Sequence, residues 1–371
     1  MKILHYSPRL RAGSPMVMAA ELACMLQKMG VENLVIAPPG EHVSRLVAAG
    51  VRHINCRRPN LLTAWREIHR LRSIIRRLAP SVLQVYSADA AWVAGLACKR
   101  IAPRRRPAIL GTVTGYPRVG TSSVGWRYCD AFTSISRNLR KAIESTHSLS
   151  IKRPWVIPYG VNEELCHPGY TPTSEWMKQW QSCQPQATSG KLTLCIPCSI
   201  SPMHGLEDIV PILTGLLRTG IPTHVYIVAD TRHANKAYRN ELQLSFAQAH
   251  LTEHITWLGA RADLRDVLCV CDATLSLARQ PATWNRAILE ALALGRPVVG
   301  YDHGVVGEYL TAFLPEGRVA PGDTAAIIDT LTQWHTYSPA PVAEIPYPYR
   351  LTDTAETYKT LYNDITSNNQ Q

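Results

Sequence analysis

Short runs of apolar residues recur along the chain, separated by longer stretches whose apolar positions fall three and four apart. Runs near 2–6, 33–37, 52–55, 81–86, 108–113 and 130–134 are strand-like, and a second set follows near 192–196, 223–229, 255–258, 272–276 and 297–301. Apolar strands alternating with amphipathic helices predict parallel sheets joined by crossover helices, and here the alternation occurs twice. Between the sets, Pro168–Gly190 is rich in Pro, Ser, Thr and Gln and reads as a surface connection. The predicted plan is α/β: two doubly wound domains over 1–170 and 191–350, a linker over 171–190, and a terminal segment 351–371. A helix near 352–366, after Pro346-Tyr347-Pro348-Tyr349, is expected to cross back onto the first domain. Doubly wound domains bind ligands at the carboxyl ends of their strands, so two of them would face one another across a cleft.

Length agrees with this plan, because 371 residues exceed what a single core usually supports. Charge divides it unevenly. The formal net charge is +11, yet residues 1–170 hold 25 basic against 9 acidic side chains and so carry +16, leaving −5 for the remainder. A basic first half suggests an anionic partner, whether nucleic acid, anionic lipid headgroups or a phosphorylated glycolipid; a solvated, arginine-rich surface is the alternative. No nucleic-acid recognition element is present, which disfavours the first.

Residues 61–78 sharpen the question. Leu61, Trp65, Ile68, Leu71, Ile75 and Leu78 share one helical face, while Arg66, Arg70, Arg76 and Arg77 occupy much of the rest. Two readings stay open: a crossover helix burying that stripe, or a membrane-surface helix with a basic flank. Arg104-Arg105-Arg106, between Pro103 and Pro107, would add to such a surface. No apolar run approaches the ~18 residues that span a bilayer, and the chain starts in the strand-like Ile3-Leu4-His5-Tyr6 and not in a signal peptide. A cytoplasmic protein, peripheral on the inner membrane at most, is expected. The cysteine pairs Cys195-x-x-Cys198 and Cys269-x-Cys271 lie in apolar strand-like runs and are expected to be reduced core residues, not zinc ligands.

The segment carrying most chemistry is Ile288-Leu289-Glu290-Ala291-Leu292-Ala293-Leu294-Gly295-Arg296-Pro297-Val298-Val299-Gly300-Tyr301-Asp302-His303-Gly304. Gly295 and Pro297 end a helix that carries one carboxylate, Val298 opens a buried strand, and Gly304 lets backbone amides approach a ligand. The run resembles the donor-sugar motif of family 4 glycosyltransferases of the GT-B fold. Further segments are similar to that family's in the same order. These are Lys2–Arg9 with Gly13, Val156-Ile157-Pro158-Tyr159-Gly160-Val161-Asn162 with His167-Pro168, and Ser199–Asp208. Phe313–Asp323 resembles a subgroup associated with bacterial lipopolysaccharide core assembly.

The resemblance implies a GT-B fold and a retaining sugar transfer from a nucleoside diphosphate, without metal or other cofactor. An Arg and a Lys of a phosphate loop, helix amides and a Glu-x7-Glu pair would stabilise the leaving diphosphate. Glu290 matches the second Glu, which holds the ribose; the first falls at Ala282, with Asn285 three positions later. The loop Arg falls at Ser199 and the Lys at His204, followed by Gly205. An acceptor-side His falls at Thr114, the second glycine of the Gly304 turn at Val305, and that of the N-terminal loop at Ser14. Arg279, Arg286, Arg9 and Arg11 border the expected cleft as substitute cations, and Arg286 is favoured because it shares a helix face with Glu290; a plain ion pair between the two is the alternative. The catalytic set implied is therefore Arg286, His204 and Thr114, and the donor set Glu290, Ser199, Gly205, Asn285, Gly304, Val305, Glu308 and Gly13. The expected activity is transfer from a nucleotide-sugar to an anionic envelope glycan or lipid-linked acceptor of the lipopolysaccharide type at the cytoplasmic face of the inner membrane. The alternative is a catalytically silent GT-B protein acting as partner or scaffold in envelope glycan synthesis.

Overall fold

The structure, a computed structural model, describes residues 1–8, 15–40, 42–56, 63–116, 121–146, 154–185, 190–231, 235–337, 339 and 344–368. The chain divides into two compact units, one of residues 1–160 with 347–371 and one of residues 161–346.

In the first unit, strands and helices alternate as β1 (Lys2–Tyr6), α1 (Pro15–Lys28), β2 (Glu32–Ala37), α2 (His42–Ala48), β3 (Arg52–Asn55), α3 (Ala64–Leu78), β4 (Val82–Val85), α4 (Ala88–Cys98), β5 (Ala108–Val113), β6 (Ala131–Ser134), α5 (Arg137–Ser145) and β7 (Trp155–Val156). Among the described residues the sheet has seven strands in the order β3-β2-β1-β4-β5-β6-β7, every neighbouring pair parallel. β4 and β5 are buried at every position, which is why their sequences run apolar without alternation. The sheet nevertheless carries a buried polar ladder. Gln84 Nε2 and Thr133 Oγ1 both donate to Thr112 Oγ1, at 2.7 and 3.0 Å. The last helix of the chain, Leu351–Asn368, packs over this ladder. Its Tyr362 hydroxyl donates to Gln84 Oε1, and its Tyr358 hydroxyl lies 3.2 Å from Thr133 Oγ1. At its start, Thr354 Oγ1 donates to Pro158 O and accepts from the Gly160 amide. Only glycine permits this approach at 160, because a Cβ there would stand 2.1 Å from Arg350 O.

The stripe on residues 61–78 turns out differently from its expected face. α3 buries Ala64, Glu67, Leu71, Ile74 and Ile75, whereas Trp65 is 58% exposed, stacked by Arg66 and edged by His69. It is a crossover helix whose one large aromatic faces solvent. Leu61 lies outside the described residues.

The second unit runs α6 (Ser174–Cys183), β8 (Leu192–Pro197), α7 (Ile209–Arg218), β9 (Thr223–Val228), α8 (Lys236–Gln248), β10 (Ile255–Trp257), α9 (Leu264–Val270), β11 (Ala273–Ser276), α10 (Arg286–Ala293), β12 (Val298–Tyr301), α11 (Gly304–Phe313), β13 (Arg318–Val319) and α12 (Thr324–Thr336). The helix over Leu351–Asn368 is then α13. The described strands form a six-stranded parallel sheet, β10-β9-β8-β11-β12-β13, with Thr274 of β11 in register with Cys195 of β8.

The boundary falls at Gly160/Val161 and not at 170, and the segment expected to be a linker contains α6. The helix is anchored by indoles that composition alone does not place. Trp176 stacks on Trp180 at 5.2 Å and donates to Asp263, and Trp180 is buried against Tyr226. β7 and β13, two residues each, are too short to show a period. Cys195 and Cys271 are buried free thiols, and Cys198 and Cys269 are half-buried free thiols.

Candidate functional site

In the second unit the chain leaves β8 towards β9 and β10 on one side, then returns to build β11, β12 and β13 on the other. The strand order therefore reverses between β8 and β11, and loops leaving their carboxyl ends in opposite directions open a crevice there. Three loops meet at this end of the sheet.

The loop after β8 holds Ser199, His204 and Gly205. Ser199 is exposed, and its carbonyl accepts from the Ser201 amide at 3.0 Å. His204 Nδ1 lies 2.9 Å from Ser201 Oγ, and burial lowers the imidazole's pKa, so the ring is neutral at pH 7. Gly205 has φ +62°, and a Cβ there would stand 2.1 Å from Leu277 O and 3.2 Å from Arg279 Cγ. The Arg279 amide donates to Met203 O at 3.0 Å. The loops after β8 and β11 are thus clamped backbone to backbone.

An ionic cluster continues the clamp into side chains. Arg279 Nη2 donates to Asp208 Oδ1 at 2.7 Å, and its Nε lies 3.4 Å from Glu207 Oε1. Asp208 Oδ2 accepts from the Tyr301 hydroxyl at 2.7 Å, and Glu207 Oε2 from the Tyr238 hydroxyl. Burial, followed by the bond to Asp208, raises the Tyr301 pKa well above its ordinary value, so the hydroxyl stays protonated and donates. The sequence signal for this cluster is an acidic pair, Glu207-Asp208, directly before an apolar helix.

The third loop follows β12. Gly304 has φ +57°, and a Cβ there would meet the Ala282 N and O at 2.7 Å. Close approach of chain to chain, and not only of chain to ligand, is what requires glycine at this turn. The Val305 amide donates to Ala282 O at 2.9 Å and its side chain is buried. Val305 thus spends its amide and its side chain within the protein. Asn285 is the N-cap of α10, with Oδ1 accepting from the Ile288 amide at 3.3 Å. Arg286 Nε donates to Glu290 Oε1 at 2.6 Å, so the favoured substitute cation is an ion-pair partner of the carboxylate. Glu290 is buried on α10, and Glu308 is half-buried on the second turn of α11. Thr114 belongs to the first unit, at the end of β5. Gly13, Ser14, Arg9 and Arg11 lie outside the described residues. Among the described residues no group of His, Cys, Asp and Glu is arranged to hold a metal ion.

Residues 17–165 match the model of Glycosyltransferase Family 4, and residues 194–336 that of Glycosyl transferases group 1, which together take in most of the chain. The chain belongs to the family 4 glycosyltransferases. Its GT-B fold is shared with a glycosyltransferase from Rickettsia africae ESF-5, at TM-score 0.85 and 18% identity over 98% of each chain. Anabaena Alr3699/HepE in complex with UDP matches at TM-score 0.73 and 16% identity, over 100% of this chain and 98% of that one. The lipopolysaccharide outer core galactosyltransferase WaaB matches at TM-score 0.67 and 12% identity, with the same coverage. No curated protein matches the sequence of this glycosyltransferase.

Proposed function

We propose that this glycosyltransferase moves a sugar, with retention of configuration, from a nucleoside-diphosphate donor to an anionic, lipid-linked glycan of the lipopolysaccharide type at the inner face of a membrane. The observation that carries the donor half is Glu290. A buried carboxylate held by Arg286 lies on α10, the helix that follows β11, one of the two strands between which the order reverses, and such a carboxylate can accept both hydroxyls of a ribose. Anabaena Alr3699/HepE, of the same fold, is described in complex with UDP-glucose. In such a transfer negative charge grows on the departing diphosphate, so preorganised donors aimed at it lower the barrier. No cofactor or metal enters the scheme.

The acceptor half rests on α3. His69, Arg72, Ser73, Arg76, Arg77 and Arg100 line a groove of about 660 Å³ that holds no carboxylate among its described lining residues. Arg72 and Arg76 donate to carbonyls at the end of α4, from Leu96 to Arg100, which fixes them along the groove. Exposed Trp65 at the start of the same helix suits the headgroup layer of an anionic bilayer. None of the helices formed by described residues is long and apolar enough to cross a membrane, so association would be peripheral.

A panel of nucleotide-sugars tests the donor half by thermal shift and by hydrolysis. A true donor at ~100 times its dissociation constant stabilises by about 2.7 kcal/mol. If none shifts melting, none is hydrolysed and Glu290→Ala leaves the cellular phenotype unchanged, the transferase reading fails. The silent-scaffold reading, favoured by Ala282 and Ser199 at positions of chemistry, would then stand. Flotation with vesicles tests the acceptor half: binding to anionic but not zwitterionic vesicles, lost in Trp65→Ser with Arg77→Gln, is expected.

A further inference from the structure

We propose that Arg279 is the residue that holds the donor's diphosphate, with Asp208 and Tyr301 positioning its guanidinium; this rests on the donor reading above. Arg279 lies on the loop leaving β11, and its main chain and side chain both reach the loop leaving β8, through Met203 O and beside Gly205. It therefore ties together the loops that leave the two strands between which the order reverses. The fork is anchored on one edge. Asp208 takes Nη2 while its own second oxygen is fixed by Tyr301, so the carboxylate cannot swing away. Side-chain exposure falls the right way: about 10% for Asp208 and 51% for Arg279, a buried anchor under a cation that faces solvent. Guanidinium presents several donors in a rigid plane, so an edge held by a carboxylate leaves further N–H groups to meet phosphate oxygens.

The other candidates are less well placed to hold a diphosphate. Arg286 holds Glu290, the carboxylate that the donor reading gives to the ribose, Ser199 bears no charge, and His204 is neutral and tied to Ser201. Glu207 is the competing feature. Its carboxylate lies 3.4 Å from Arg279 Nε but is drawn towards the Tyr238 hydroxyl, and its charge opposes an incoming diphosphate. Positive charge has moved from the first loop to the second, with Asp208 and Glu207 setting its orientation and its strength.

Calorimetric titration of the full chain with uridine, guanosine and adenosine diphosphates and with the matching nucleosides tests this. Arg279→Gln is expected to weaken the bound diphosphate by about 10- to 100-fold, the range for one charge-assisted hydrogen-bonding partner, while the nucleoside changes by less than about twofold. Glu207→Gln is expected to tighten the diphosphate several-fold, and Arg279→Lys to fall between the wild type and Arg279→Gln. If Arg279→Gln does not fold, the Lys variant and Glu207→Gln decide. Wild-type diphosphate affinity in Arg279→Gln, an equal loss for nucleoside and diphosphate, or no gain in Glu207→Gln overturns the proposal and leaves the donor reading standing. Failure of every diphosphate to bind the wild-type chain overturns both.

Discussion

Replacing Gly205 by Ala separates two costs that usually come together. The residue has φ +62°, and left-handed backbone costs an L-residue about 1–2 kcal/mol relative to glycine. A Cβ at this place would also stand 2.1 Å from Leu277 O. Carbon and carbonyl oxygen approach no closer than about 3.3 Å without strain, so the loops must part by about 1 Å, and overpacking of that kind adds about 1–3 kcal/mol. Gly220 supplies the control. Its φ is +81°, yet nothing lies within 4 Å of a Cβ there, so Gly220→Ala carries the conformational cost alone. Urea denaturation followed by tryptophan fluorescence should place Gly205→Ala about 2–5 kcal/mol below wild type and Gly220→Ala about 1–2 kcal/mol below. Donor affinity should fall in the first variant only, because parting the loops pulls Arg279 from Met203 O. Equal destabilisation of the two variants, or unchanged donor affinity in Gly205→Ala, would show that the loops after β8 and β11 are not clamped.

Three further perturbations probe the scaffold. Tyr362→Phe removes the donor to buried Gln84 Oε1, leaving an orphaned acceptor under α13, and should cost about 1–3 kcal/mol in chemical denaturation, whereas Thr366→Val on the outer turn should cost little. Trp180→Ala empties the space between Trp176 and Tyr226 and should cost about 3–5 kcal/mol, loosening α6 enough for limited proteolysis within residues 174–183 to detect. His5 is fully buried beside the Tyr86 hydroxyl, and burial lowers its pKa from 6.5 to about 3. Between those values the unfolded chain binds a proton that the folded chain does not. Stability attributable to His5 is therefore complete above pH 6.5 and declines as pH falls towards 3, by up to about 1.4 kcal/mol per unit. A His5→Gln variant whose stability depends on pH between 6.5 and 4 as steeply as wild type would refute that assignment.

How far the sequence discloses this protein depends on what each residue type can be used for. Buried parallel strands leave few options for their side chains, so runs such as Val82–Val85 and Ala108–Val113 announce themselves, and with them the two sheets. The α6 segment does not, because Pro, Ser, Thr and Gln around it read as connection while two indoles at 176 and 180 do the packing. Trp65 shows the converse. Spacing puts it with Ile68 and Leu71, but the helix turns its buried face towards Ile74 and Glu67, a carboxylate that no apolar pattern would count.

At the site, motif position locates the loops but does not say which of their atoms are spare. Asn285 Oδ1 is used by the Ile288 amide and the Val305 amide by Ala282 O, uses that no motif position announces. Arg286 is brought to Glu290 by four-residue spacing on one helix face, the ion pair that the sequence offers as the alternative to a phosphate contact. Arg279, Asp208 and Tyr301 come from three different loops and strands, so no spacing relates them; only the strand order, which sets β8, β11 and β12 side by side, links them Arg to Asp to Tyr by contacts of 2.7 Å. A catalytic charge that moves between neighbouring loops of a sheet therefore vanishes from a linear motif while keeping its place in space. Ser199 and His204, where the resemblance implies an Arg and a Lys, would count against activity only if no neighbouring strand end could supply the cation, and the strand next to β8 ends three residues before Arg279.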